Sequence, residues 1–394
     1  MKNLKLILFI IVFSQFCCTS LWFAGNGVMS DLMASFNLGD TALGHLTSAV
    51  QFGFITGTLT FAILTIADRF SPSKVFFVSA LLGALCNLGV IWEDNSLTSI
   101  LIFRFLTGFF LAGIYPVGMK IAADYFDKGL GKSLGFLVGA LVVGTAFPHL
   151  LKDMSGTLPW KTVIMVVSGL AAFGGLLMVL LVPDGPYRKA SSAFNFSAFF
   201  KVFKNSKFRA SAFGYFGHMW ELYAFWAFVP VILGIYKSQN PVAAFNIPLL
   251  SFFIIGIGGL ACVVGGIISQ KVGVKKIATL ALTLSCLCCM ASPLVLTTAS
   301  SNIFIGFLFF WGMVVIADSP LFSTLVAHNA PSEIKGTALT IVNCVGFFIT
   351  IISIQLLSGL QGVISSKYLF MILAIGPVLG LVALRSANAN GSKK

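Results

Sequence analysis

The chain has 394 residues, of which 58% are hydrophobic and only 9% charged, with a formal net charge of +13 at pH 7. So little polar surface excludes a water-soluble domain of this size; the solvent that such a composition presupposes is lipid. The basic excess lies in short gaps between apolar stretches, which fits membrane topology and anionic lipid and argues against a nucleic-acid partner.

Hydropathy predicts an all-α polytopic membrane protein of twelve transmembrane helices, at about 5–34, 42–67, 74–92, 98–122, 133–152, 161–183, 209–236, 245–269, 277–298, 302–327, 337–360 and 368–386. Stretches such as 164–182 are apolar on every face, as a spanning helix must be and an alternating barrel strand is not. The first span begins like a secretory signal, but Phe16 precedes Cys17 where a lipoprotein signal needs a small residue, so an uncleaved helix is expected. Within it Gln15, Thr19, Trp22 and Asn26 follow spacings of 4, 3 and 4, which predicts one face able to hydrogen-bond a solute. In the second span Gly53 and Gly57 form a small-xxx-small pair suited to close helix approach.

Asp68 and Arg69 follow the second span. A carboxylate there can pair with a nearby Lys or a helix N-terminus and act as a gate. Arg104 falls about 9 Å into the fourth span, as either an interhelical clamp or an anion contact. Pro183-Asp184-Gly185-Pro186 ends the sixth span and opens a linker to residue 208, in which Phe196, Phe199, Phe200 and Phe203 predict a short interfacial helix. Glu221 lies about 18 Å along the seventh span, near the midplane, with His218 one turn before it and Trp220, Tyr223 and Trp226 around it. Asp318 lies about 24 Å along the tenth span, just before Ser319 and Pro320.

Twenty of the 25 basic residues fall in alternate gaps with both termini, which places the termini in the cytoplasm. The eight cysteines all fall within spans, without the spaced pairs of metal or redox motifs, and read as small packing residues. The linker divides the chain into bundles 1–183 and 209–394, with 184–208 between them. The loops after each half's second span are alike: Asp68, Arg69 and Lys74 in one, Gly266, Lys271, Gly273, Lys275 and Lys276 in the other. One six-helix unit used twice is a mark of secondary transporters.

On these loops, on Arg104-x-x-x-Gly108 followed by Gly113 and Pro116, and on Gly135, Gly139, Gly144 and Pro148, the chain resembles the major facilitator superfamily. In appearance it is nearest the cyanate-permease-like branch, through residues 21–26, 69–73 and 113–120. The resemblance implies two six-helix bundles that rock about a solute near the midplane. The family's loop signature is incomplete: Leu64 and Gln270 replace its first Gly and second Asp.

A buried ionisable side chain in a spanning helix is costly and normally serves a cavity or a partner. Glu221, Asp318 and His218 are therefore the expected proton-coupling residues, with Arg104, Gln15, Trp22, Asn26 and Trp226 as solute contacts and Asp68 and Arg69 as the gate. The expected function is secondary active transport of a small polar or anionic solute, coupled to protons. The alternative is a proton-driven efflux carrier for amphipathic compounds. No nucleotide loop, His-Glu-x-x-His or Gly-x-Ser-x-Gly motif is present, so no enzyme, cofactor or metal is expected. A monomer in the bacterial inner membrane, in contact with solute, proton and lipid, completes the expectation.

Overall fold

A computed structural model describes residues 4–126, 130–156, 158–188, 202–331 and 334–391. It consists of two compact units, Met1–Ala193 and Phe194–Lys394, so the division falls inside the segment read as the linker. The interfacial helix expected from Phe196, Phe199 and Phe200 lies outside the described residues.

In the first unit the spans are α1 (Leu4–Thr19, Ala24–Gly27 and Met29–Phe36), α2 (Ala42–Ile63), α3 (Pro72–Gly89), α4 (Leu97–Leu111 and Tyr115–Tyr125), α5 (Leu130–Ser155) and α6 (Lys161–Leu181). The second unit holds α7 (Ser206–Gln239), α8 (Ile247–Val272), α9 (Val274–Thr298), α10 (Ser301–Ala317 and Ser319–Asn329), α11 (Lys335–Leu360) and α12 (Ser366–Leu369, the 3-10 turn Phe370–Ala374, and Ile375–Gly391). Among the described residues eleven helices are long and apolar enough to cross a membrane, and α1 is the twelfth span, divided into shorter pieces.

The interruption of α1 departs from the continuous helix expected over 5–34. No proline causes it. Thr19 Oγ1 donates to the carbonyl of Gln15 at 2.8 Å and Ser20 Oγ to that of Cys17 at 2.6 Å, and the chain then tightens through Leu21 N to Cys18 O (3.3 Å) and Trp22 N to Thr19 O (3.0 Å). Hydroxyls that bond back to the preceding turn compete with the regular ladder, and bonds spanning three residues carry the span through the break. In α4 and α10 the breaks precede Pro116 and Pro320, which lack an N–H for the ladder.

Small residues set the close packing. Gly53 and Gly57 of α2 lie against the backbone of Phe105 and Phe109 in α4, and Gly108 lies against Val50, so a Cβ at any of the three would clash. In the second unit Gly312 of α10 meets the backbone of Ile254 in α8 in the same way. Val50 and Ile254, Gly108 and Gly312, and Pro116 and Pro320 are each 204 positions apart. The repeat legible in the loops therefore extends to helix contacts and helix breaks. Gly273, between α8 and α9, has φ of 107°, a backbone conformation that favours glycine.

Candidate functional site

In the second unit the side chains converge on the middle of α7. Glu221 is 1% exposed and each of its oxygens has a donor. Oε1 accepts from Trp311 Nε1 of α10 at 2.6 Å and from Cys289 Sγ of α9 at 3.2 Å, and Oε2 accepts from Ser285 Oγ, one turn before Cys289. Cys289 is thus a carboxylate partner and more than the packing residue expected. One turn earlier on α7, His218 Nδ1 lies 2.8 Å from Asp318 Oδ1 in the break of α10, with both side chains 1% exposed. The rings of Tyr215 and Phe322 flank the imidazole at 6.0 and 6.3 Å. Cys262 Sγ of α8 donates to the carbonyl of Ile316 at 3.3 Å, beside the break. His218 Nε2 and Asp318 Oδ2 make no hydrogen bond with any described residue.

The three residues expected to couple protons therefore fall within one turn of α7 and the α10 break paired with it. Their surroundings differ. Glu221 is held by three donors, whereas His218 and Asp318 meet as a 2.8 Å ion pair in which His218 Nε2 and both Asp318 oxygens lack a hydrogen bond among the described residues. Such a pair keeps hydrogen-bonding capacity open on each partner, which the saturated Glu221 does not. At the matching position of the first unit, 204 residues earlier, stands Ile114, so the ionisable break belongs to the second unit. Trp226 sits elsewhere, in an aromatic wall with Tyr223 (5.3 Å), which in turn meets Phe347 of α11 (5.2 Å).

In the first unit the break in α1 redistributes the face expected from Gln15, Thr19, Trp22 and Asn26. Gln15 lies beside Gly118 of α4, and Thr19 packs on Gly144 of α5. Trp22 meets Phe54 of α2 at 4.8 Å, and Asn26 Nδ2 donates to Thr47 Oγ1 of α2 at 2.9 Å. A continuous helix would have kept the four on one face; the tight turn at 20–23 rotates the two halves apart. Arg104, 1% exposed, donates to the carbonyl of Leu21 from both terminal nitrogens (3.3 and 3.2 Å), to that of Trp22 (2.6 Å) and to Asn87 Oδ1 (2.8 Å). Asn87 in turn donates to Ser168 of α6 at 2.9 Å. The guanidinium fork is thus filled by the carbonyls at the α1 break and by Asn87.

The end of the same unit at the α2–α3 loop carries a polar strap. Asp68 pairs with Lys120 at 3.0 Å, and Lys120 lies 3.7 Å from Asp124. Arg188 donates to the carbonyls of Asp68 (3.0 Å) and Phe70 (2.8 Å) and pairs with Asp184 (2.5 Å), which also accepts from Ser71 (2.6 Å). Arg69 stays outside this cluster: it is exposed, with Nε donating to Thr65 Oγ1 at 3.1 Å. Sequence reasoning thus reached Asp68 but missed Lys120 and Arg188, whose spacing in the chain carries no signal. It also missed Gln51, His149, Ser285 and Trp311, ordinary residues of apolar spans until their neighbours are known.

The twelve spans, their internal repeat and the paired breaks agree with a match to the Major Facilitator Superfamily over residues 11–354. The chain belongs to that superfamily. Among its members, the niacin transporter NiaP of Acinetobacter baylyi (strain ATCC 33305 / BD413 / ADP1) is 29% identical over 196 residues, 44% of this chain and 42% of the relative. The benzoate transport protein of the same strain is 28% identical over 162 residues, 39% and 32% of the two chains. The match thus spans less than half the length of these relatives. A mutant of the nucleoside transporter NupG superposes with a TM-score of 0.75 at 15% identity, covering 98% of this chain and 100% of that one. A bacterial homologue of the lysosomal transporter Spinster, inward-facing and unoccupied, gives 0.68 at 14% identity, covering 99% and 96%. These superfamily likenesses show the fold, a multi-pass membrane protein of transporter architecture.

Proposed function

We propose that this chain is a secondary active transporter that moves a small polar or anionic solute by alternating access and couples it to a proton. The observation that carries the proposal is the buried His218–Asp318 pair at the break of α10, with Glu221 one turn from His218 on α7. A titratable pair at a point where a spanning helix bends links proton occupancy to helix geometry. Gln15, Trp22, Asn26 and Trp226 are the proposed solute contacts, Asp68 the gate, and Arg104 the clamp that holds the α1 break. Two of the similar proteins are named for niacin and benzoate, which favours a small aromatic acid or a related ring as the solute. The placement nearest the cyanate-permease-like branch belongs to this proposal and rests on residues 21–26, 69–73 and 113–120. So do a bacterial inner membrane, cytoplasmic termini and a monomeric state. The aromatic wall of Tyr223, Trp226 and Phe347 favours, as the second reading, efflux of amphipathic compounds.

The test uses the full chain in proteoliposomes, with labelled nicotinate and benzoate and an imposed pH gradient. The wild type should accumulate solute. Asp318→Asn and Glu221→Gln should lose gradient-driven accumulation while retaining exchange of solute across the membrane, because a neutral side chain cannot load and release the proton. Wild-type accumulation in Asp318→Asn would remove the pair from the mechanism.

A further inference from the structure

Gln51 in the middle of α2 is fully buried, and neither its Oε1 nor its Nε2 is hydrogen-bonded to any described residue. Its place on the helix is well defined. Thr47, one turn before it, is bonded to Asn26, and Phe54, one turn after it, meets the ring of Trp22. Residues 47, 51 and 54 share one face of α2, so Gln51 lies between the two points at which α2 grips the broken part of α1. Pro148 of α5 packs on Gly27 of the same short piece, and the next residue, His149, is 2% exposed with Nε2 unbonded among the described residues. Three helices thus meet at the level of Trp22–Gly27: α1 with its indole, α2 with the Gln51 amide, and α5 with Pro148, next in the chain to His149.

The charge at this level is already committed. Gly25, in the same short piece, lies against the side chain of Arg104, whose terminal nitrogens are bonded to the carbonyls of Leu21 and Trp22 and to Asn87. A solute here meets hydrogen-bonding groups in place of a free guanidinium. A primary amide presents one acceptor and two donors, so it matches a partner edge that also offers both a donor and an acceptor. A carboxylate anion, which only accepts, can use Nε2 and is repelled by Oε1.

We propose that Gln51, together with Trp22, Asn26 and His149, forms a solute subsite in the first unit that takes a flat ring carrying an uncharged donor–acceptor edge: a carboxamide, a lactam or a protonated carboxyl. This rests on the transporter reading above and narrows its solute. The Trp22 and Phe54 rings supply apolar faces for the ring, and Gln51 reads the polar edge. The subsite prefers a neutral solute to its anion.

The test is isothermal titration of the purified full chain in detergent at pH 7.5, with nicotinamide, nicotinate and benzoate as probes. Nicotinamide should bind more tightly than either anion. Gln51→Met, which keeps the chain length and removes the amide, should weaken nicotinamide about tenfold, the effect of one lost hydrogen-bonded pair. Gln51→Asn, which keeps the amide with shorter reach, should weaken it less, and both variants should unfold thermally like the wild type without ligand. Tighter binding of nicotinate or benzoate than of nicotinamide would overturn the proposal, as would unchanged nicotinamide affinity in Gln51→Met or no binding of any probe. Its failure is distinct from that of the transporter reading. Gradient-driven accumulation with Gln51-independent binding sinks the subsite alone, whereas Gln51-dependent binding without accumulation of any probe sinks transport and leaves the subsite.

Discussion

Replacing Arg104 tests whether the α1 break is held from α4. Arg104→Gln removes the donors that reach Leu21 O, Trp22 O and Asn87 Oδ1, and glutamine is too short to span all three. A buried acceptor left without its donor costs about 1–3 kcal/mol. The carbonyl of Leu21 also receives Ala24 N at 3.4 Å, so it is not fully orphaned. The two acceptors that lose their donor outright, Trp22 O and Asn87 Oδ1, amount to about 2–6 kcal/mol. For a folding unit of this size, that is a fall in unfolding temperature on the order of 10 °C. Arg104→Lys keeps the charge but loses the planar fork, so it should recover only part of this loss. The assay is thermal unfolding in detergent, followed by intrinsic fluorescence, with solute affinity measured on the fraction that remains folded. A clamp predicts lower stability with nearly normal affinity. Normal stability combined with lost affinity in Arg104→Gln would refute the clamp and make the guanidinium a solute contact.

Two further outcomes follow from the same geometry. Asp68→Asn removes the 3.0 Å pair with Lys120, a partly exposed contact worth about 1 kcal/mol or less, so transport should slow several-fold with little change in unfolding temperature; Arg69→Ala, which loses only a bond to Thr65, should transport normally. Equal loss in both would deny Asp68 a special role. For topology, a cysteine at Ser192 should resist a membrane-impermeant thiol reagent applied from outside, while one at Gln239 should react; the reverse pattern would invert the proposed orientation.

The spans were legible because lipid imposes a local condition: every segment that crosses must be apolar for about 20 residues and must satisfy its own backbone. That condition is written residue by residue, so the helices, their repeat and the rarity of Glu221, Asp318 and Arg104 within them could all be read directly. The proline-marked break of α10 was also announced locally, by Ser319 and Pro320 after Asp318. The break in α1 was not. Thr19 and Ser20 favour it, but its carbonyls are met by Arg104, more than 80 residues away, and no local pattern says which carbonyls that side chain will find.

The same limit governs the site. Composition and depth in the span point to Glu221, His218 and Asp318, but their division into a saturated carboxylate and an unsaturated pair depends on Ser285, Cys289 and Trp311 arriving from α9 and α10. Gln51 and His149 likewise gain meaning only from what does and does not reach them. The sequence by itself determined which segments enter the membrane and which costly side chains they carry, because transfer from water to lipid is a property of each segment alone. The tertiary structure decided which of those side chains are satisfied and which stay available for chemistry, because a buried hydrogen bond depends on the rotational register of two helices at once.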